Sequence, residues 1–130
     1  MLNAPAPFTV ALLGAESTGK SQLLRALADT LQRDHGIACL AVPEHLRDWC
    51  EARGRAPRQD EQAGLAQAQG QAIAAAQAQP GVQLVLADTT AVMVAAYSEQ
   101  YFGDESLWPQ ALAQHASCGL TLLMGLDLPW

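Results

Sequence analysis

A short apolar run, Phe8 to Leu13, stops at Gly14, and the eight residues from there read Gly14-Ala15-Glu16-Ser17-Thr18-Gly19-Lys20-Ser21. Few folds accommodate that sequence. The run is the length of a buried strand and lacks the polar alternation of a half-exposed one. From Ser21 to His35 the pattern changes period, placing Leu23, Leu24, Leu27, Ala28 and Leu31 on one helical face. Gly36 follows where a helix C-terminal cap belongs. Strand, glycine-framed loop and amphipathic helix make the opening βα unit of a parallel sheet.

The rest of the chain repeats that alternation. Ile37 to Val42 reads as a second strand closed by Pro43, and Glu44 to Arg53 as a short helix carrying Leu46, Trp49 and Cys50. A loop with Arg53, Arg55 and Arg58 leads to a long Ala- and Gln-rich helix, Asp60 to Gln79, stopped by Pro80-Gly81. Val82 to Ala87 is a third strand, Thr90 to Phe102 and Pro109 to Ser117 are helices, and Leu120 to Met124 is a fourth strand. Strands alternating with helices imply parallel pairing through right-handed crossovers, hence a three-layer α/β fold. No linker or repeat divides residues 1–130, which read as one domain preceded by a flexible stretch at 1–7.

The glycine-framed segment satisfies G-x-x-x-x-G-K-[ST], the P-loop pattern. Glycines let the backbone close around phosphate oxygens with its N–H groups pointing inward, and the helix behind adds the positive end of its dipole. Lys20 is placed to neutralise β- and γ-phosphates, and the Ser21 hydroxyl to ligate Mg²⁺. A chain of this length meets the pattern by chance on the order of once in a few hundred. Lys20 is also the only lysine, every other basic residue being Arg or His. A coding bias toward Arg accounts for the scarcity; it does not account for the position.

Composition narrows the partners. With 130 residues the chain can bury a core without staples, and 15% charged residues suit a globular domain. A formal net charge of −6 excludes a large nucleic-acid footprint, which needs clustered Lys and Arg. Cys39, Cys50 and Cys118 show no metal-ligand spacing and read as reduced packing residues. No apolar run approaches the ~20 residues of a membrane span, so the expectation is a cytoplasmic protein with no nucleic-acid or membrane partner. Its oligomeric state is left open.

A second carboxylate stands out. Asp88 follows Leu84-Val85-Leu86-Ala87, at the strand edge where open α/β sheets bind ligands. There it can hold the magnesium shell or accept the proton of an attacking hydroxyl; the bland counterpart is an ordinary N-cap for the helix that follows. Glu44 repeats the pattern after the second strand, with Arg47 one turn on. Glu44 and Arg47 contact a hydroxylated acceptor or simply pair with each other. Trp49, Tyr97, Phe102 and Trp108 read as core, the three arginines of the loop as a solvated turn, and His35, His45 and His115 carry no assigned role.

With these residues in place, the chain resembles the nicotinamide riboside kinase-like P-loop ATPases, including the kinase domain of NadR-type bifunctional NAD enzymes. The resemblance runs from Phe8 to Trp130. It rests on GAESTGKS, Val42-Pro43-Glu44-His45-Leu46-Arg47, Gln69, Asp88-Thr89-Thr90 and the segment Tyr97 to Asp104. It implies a sheet ordered 2-3-1-4-5 and ATP- and Mg²⁺-dependent phosphorylation of a ribosyl hydroxyl. Two features depart from the pattern. Asp88-Thr89-Thr90 stands where Asp-Thr-Asp is common, and an Arg-bearing lid, an adenine-side segment and a fifth strand are expected beyond Leu128-Pro129-Trp130.

Two functions from different classes follow. The first is a small-molecule kinase acting on nicotinamide riboside or a similar nucleoside, with Lys20, Ser21-bound Mg²⁺ and Asp88 on ATP, and Glu44 and Arg47 toward the acceptor. The second is a nucleotide-binding regulatory or interaction module without turnover. A GTPase is set aside, because its Asn-Lys-x-Asp guanine element is impossible in a chain whose only Asn is Asn3. A missing fifth strand leaves the fourth as a bare edge, which predicts a partner or a tendency to aggregate.

Overall fold

The computed structural model describes residues 6–14 and 19–125. The elements run β1 (Phe8–Leu13), α1 (Lys20–His35), β2 (Cys39–Val42), α2 (His45–Arg53), α3 (Gln59–Gln77), β3 (Leu84–Asp88), α4 (Ala91–Phe102), α5 (Trp108–His115) and β4 (Leu120–Leu123). The four strands form one sheet, parallel as the alternating pattern predicts, in the order β2-β3-β1-β4 that the family resemblance implies for the first four strands. A fifth strand is not among the described residues.

Register aligns the functional ends of the strands. Leu12 lies opposite Asp88 across the β1–β3 pair, and Val42 opposite Ala87 across β2–β3. Gly14, Glu44 and Asp88 therefore sit within about two residues of the same C-terminal sheet edge. The central strands are buried on both faces, with Ala11, Leu12, Val85 and Ala87 fully enclosed. Each enclosed Leu or Val contributes roughly 1.5–3 kcal/mol relative to exposure.

Two helical layers cover the sheet. On one face α1 packs Leu24, with Leu23, Leu27 and Ala28, onto Val10, Leu12, Leu86 and Leu122. On the other, Ile73 and Ala76 of α3 meet Val42, Val85 and Ala87. Beyond α3 lies a helical cluster in which Leu65 and Ala66 contact Ala91, Val94 and Ala95 of α4 and Ala111 of α5, with Trp49 and Trp108 packed alongside. Small residues dominate that stripe, which lets the helices approach closely. Gly70 marks the tightest approach: a Cβ there would lie 1.3 Å from Gln114 Nε2.

Helix ends follow local chemistry. Gly36, Gly54 and Gly103 close α1, α2 and α4 in the left-handed conformation that glycine tolerates. Thr90, not Asp88, is the N-cap of α4, its Oγ1 accepting from Val92 N at 3.3 Å. Asp88 completes β3, and its carboxylate is not the cap of this helix.

Candidate nucleotide site

Gly14 leaves β1 with φ 156, and Gly19 enters α1 with φ 79, a left-handed conformation costly for other L-residues. Ala15, Glu16, Ser17 and Thr18 lie outside the described residues. Lys20 and Ser21 open α1 directly behind Gly19. Glu44 is the N-cap of α2, and Asp88 is the last residue of β3. Three separate sheet-edge segments thus deliver side chains to the start of one helix.

Those side chains meet. Lys20 Nζ donates to Glu44 Oε2 at 3.2 Å and lies 3.6 Å from Asp88 Oδ1. Lys20 is 4% exposed, so its ammonium is out of water and depends on those two carboxylates for neutralisation. Ser21 Oγ donates to Asp88 Oδ2 at 2.5 Å. Arg47 Nη1 donates to Ser21 Oγ at 2.9 Å, and Nη2 to Glu44 Oε2 at 3.1 Å. Lys20, Ser21, Glu44, Arg47 and Asp88 form a continuous polar network. Asp88 Oδ1 is buried and has no hydrogen-bond partner among the described residues. An Asp oxygen beside a serine hydroxyl is a hard-oxygen pair able to share a magnesium ion that also keeps waters and substrate phosphates.

A family described as AAA domain matches residues 9–130. The chain belongs to the AAA domain family. No protein of curated function matches it. Among solved structures, the AAA domain is similar to NadR protein in complex with NAD and AMP-PNP, at 24% identity and TM-score 0.71, over 90% of this chain and 34% of that one. It is similar to NadR protein in complex with NR at the same identity and TM-score, over 90% of this chain and 33% of the other. The chain therefore spans about a third of the length of these structures. The shared fold is the P-loop α/β architecture, with the strand order described above.

Two residues of the AAA domain make long-range polar ties without a role assigned from sequence, one of them at the site. Gln69 of α3 is 1% exposed and links both acidic segments. Its Oε1 accepts from His45 N at 2.9 Å, and its Nε2 donates to Pro43 O at 3.4 Å and Thr89 O at 3.3 Å. The amide ties the Glu44 turn to the end of β3. A signal was present: Gln69 falls four residues after Leu65 and four before Ile73, on the buried stripe of the helix. His115 is the other, with Nδ1 2.9 Å from Thr90 Oγ1 and Nε2 2.8 Å from Thr121 Oγ1, joining the α4 cap to β4. Burial holds its pKa below the ordinary 6.5. No local pattern announces that bridge.

The remaining candidates fall away from the network. Arg55 pairs with Glu61 at 2.8 Å, and Arg53 and Arg55 stack over Trp49. Phe102, expected in the core, is 39% exposed on the last turn of α4. Cys39, Cys50 and Cys118 are unbridged and half-buried. Among the described residues no helix is long and apolar enough to cross a membrane.

Proposed function

We propose that this domain binds Mg·ATP at the Gly14–Ser21 loop and transfers the γ-phosphate to a nucleoside hydroxyl such as that of nicotinamide riboside. The observation that carries the reading is the convergence of Lys20, Ser21, Glu44 and Asp88 on the start of α1. An ammonium at a helix N-terminus suits phosphate, and a carboxylate beside the serine hydroxyl suits the magnesium that accompanies it. NadR protein, which shares the fold, has been crystallised with AMP-PNP and with NR, consistent with a nucleotide on one side and a ribosyl acceptor on the other.

In this reading Gly14, Ala15, Glu16, Ser17, Thr18 and Gly19 wrap the phosphates, and Lys20 bonds to the β- and γ-phosphate oxygens. Ser21 Oγ and Asp88 would hold magnesium, which supplies charge neutralisation on the β- and γ-phosphates. Asp88 also stands ready to take the proton of the acceptor hydroxyl. Glu44 and Arg47 line the acceptor side, above the sheet edge. The soluble cytoplasm suits such a reaction, and neither nucleic acid nor membrane enters it.

Calorimetric titration of Mg·ATP into the wild type and Lys20→Ala tests the site. Binding by the wild type and its loss, by about a hundredfold or more, in the variant are expected from removing the charge that meets two phosphates. A wild type that binds no ATP refutes the proposal. ADP release with a panel of nucleosides then separates a kinase from a module that binds without turnover.

A further inference from the structure

Glu44 Oε2 is shared by two cations. Lys20 Nζ reaches it at 3.2 Å from α1, and Arg47 Nη2 at 3.1 Å from α2. Arg47 also donates through Nη1 to Ser21 Oγ at 2.9 Å, the hydroxyl that opens α1. An ammonium and a guanidinium converging on one anionic oxygen, beside a P-loop serine, is an arrangement that fits a phosphoryl oxygen as well as a carboxylate. The two cations differ in freedom. Lys20 is 4% exposed and fixed by Asp88 behind it, whereas the Arg47 side chain is 43% exposed and able to follow an incoming group.

We propose that Glu44 Oε2 marks the place of a terminal phosphate oxygen, and that Arg47, together with Lys20, grips that oxygen when ATP binds. The inference rests on the reading of the loop as an ATP site. Arg47 is then a γ-phosphate contact carried by the acceptor-side helix rather than an acceptor contact alone. The exchange is one anion for another: phosphate takes both cations, and the Glu44 carboxylate turns toward the acceptor hydroxyl. Only a triphosphate reaches Arg47, so this residue discriminates ATP from ADP.

The test is the ratio of ATP to ADP affinity, measured by calorimetry at fixed Mg²⁺ on the full chain, for the wild type, Arg47→Ala, Arg47→Lys and Glu44→Gln. Arg47→Ala is expected to weaken ATP about tenfold while leaving ADP within about twofold. Arg47→Lys should restore part of the loss, and Glu44→Gln should tighten ATP several-fold by removing the competing carboxylate. Should Arg47→Ala fail to fold, Arg47→Gln, which keeps the aliphatic stem, gives the same comparison. An unchanged ATP:ADP ratio in the Arg47 variants overturns this inference alone. A wild type that binds neither nucleotide overturns the ATP reading and this inference with it.

Discussion

Lys20 is buried and His115 partly so, and their surroundings act on them differently. Glu44 and Asp88 supply the Lys20 ammonium with counterions, without which a buried charge costs several kcal/mol. Among the described residues His115 has two threonine hydroxyls and no carboxylate against its ring, so burial favours the neutral form and lowers its pKa. In an unfolded chain the same imidazole takes up a proton near 6.5. The unfolded state therefore binds more protons below that pH, and the native form loses stability. His115 contributes its full share above pH 6.5, and that share is lost as pH falls through the lower native value. Thermal melts from pH 8 downward should show a steeper acid limb for wild type than for His115→Gln; identical limbs would contradict the assignment.

At the scale of elements, α3 carries two glycines with opposite consequences. Gly64 is exposed and nothing lies within 4 Å of a Cβ placed there. Gly64→Ala is expected to stabilise by about 0.5–1 kcal/mol, read as a rise in Tm, because alanine orders a helix at lower entropic cost. Gly70→Ala should give no such gain, since its Cβ meets the Gln114 amide, and adding Gln114→Ala should recover it. Local signals show why some elements were legible. The bounds of β1 and the caps at Gly36, Gly54 and Gly103 follow from residues within a turn of them. The second and third strands start two residues later than their apolar runs suggest. There the chain makes a crossing contact instead, with Ala38 O accepting from Gln83 N and Leu84 N. That bond depends on residues 45 and 46 positions apart, which no local pattern encodes.

Across the whole molecule, parallel pairing follows from alternation of strands and helices, the strand order is the one the family resemblance implies, and Asp88 and Glu44 are legible because strand ends are where such sheets bind ligands. The ties that hold the site in shape were not found: Gln69 joins two loops 20 or more positions away, and the Arg47–Ser21 bond spans 26 positions. Among the described strands, β4 pairs with β1 alone and lies at the sheet edge. Leu120 is 48% and Leu123 78% exposed along it, with Phe8 51% exposed on its neighbour. An apolar strand edge invites pairing between chains, which a charge on the strand opposes. Leu123→Lys is expected to lower light scattering at high concentration while changing stability by no more than about 0.5 kcal/mol. Equal scattering by the variant would show that this edge does not drive association.

The lone lysine has a consequence in reagent chemistry. Lys20 is the chain's only ε-amine, so acylation of lysine has a single address, at the start of α1, where 4% exposure shields it from reagent. One acyl group there removes the positive charge, leaving Asp88 without its ammonium partner and Glu44 with Arg47 alone. Any modification of that nitrogen is therefore a direct report on one pocket, uncomplicated by labelling at a second lysine.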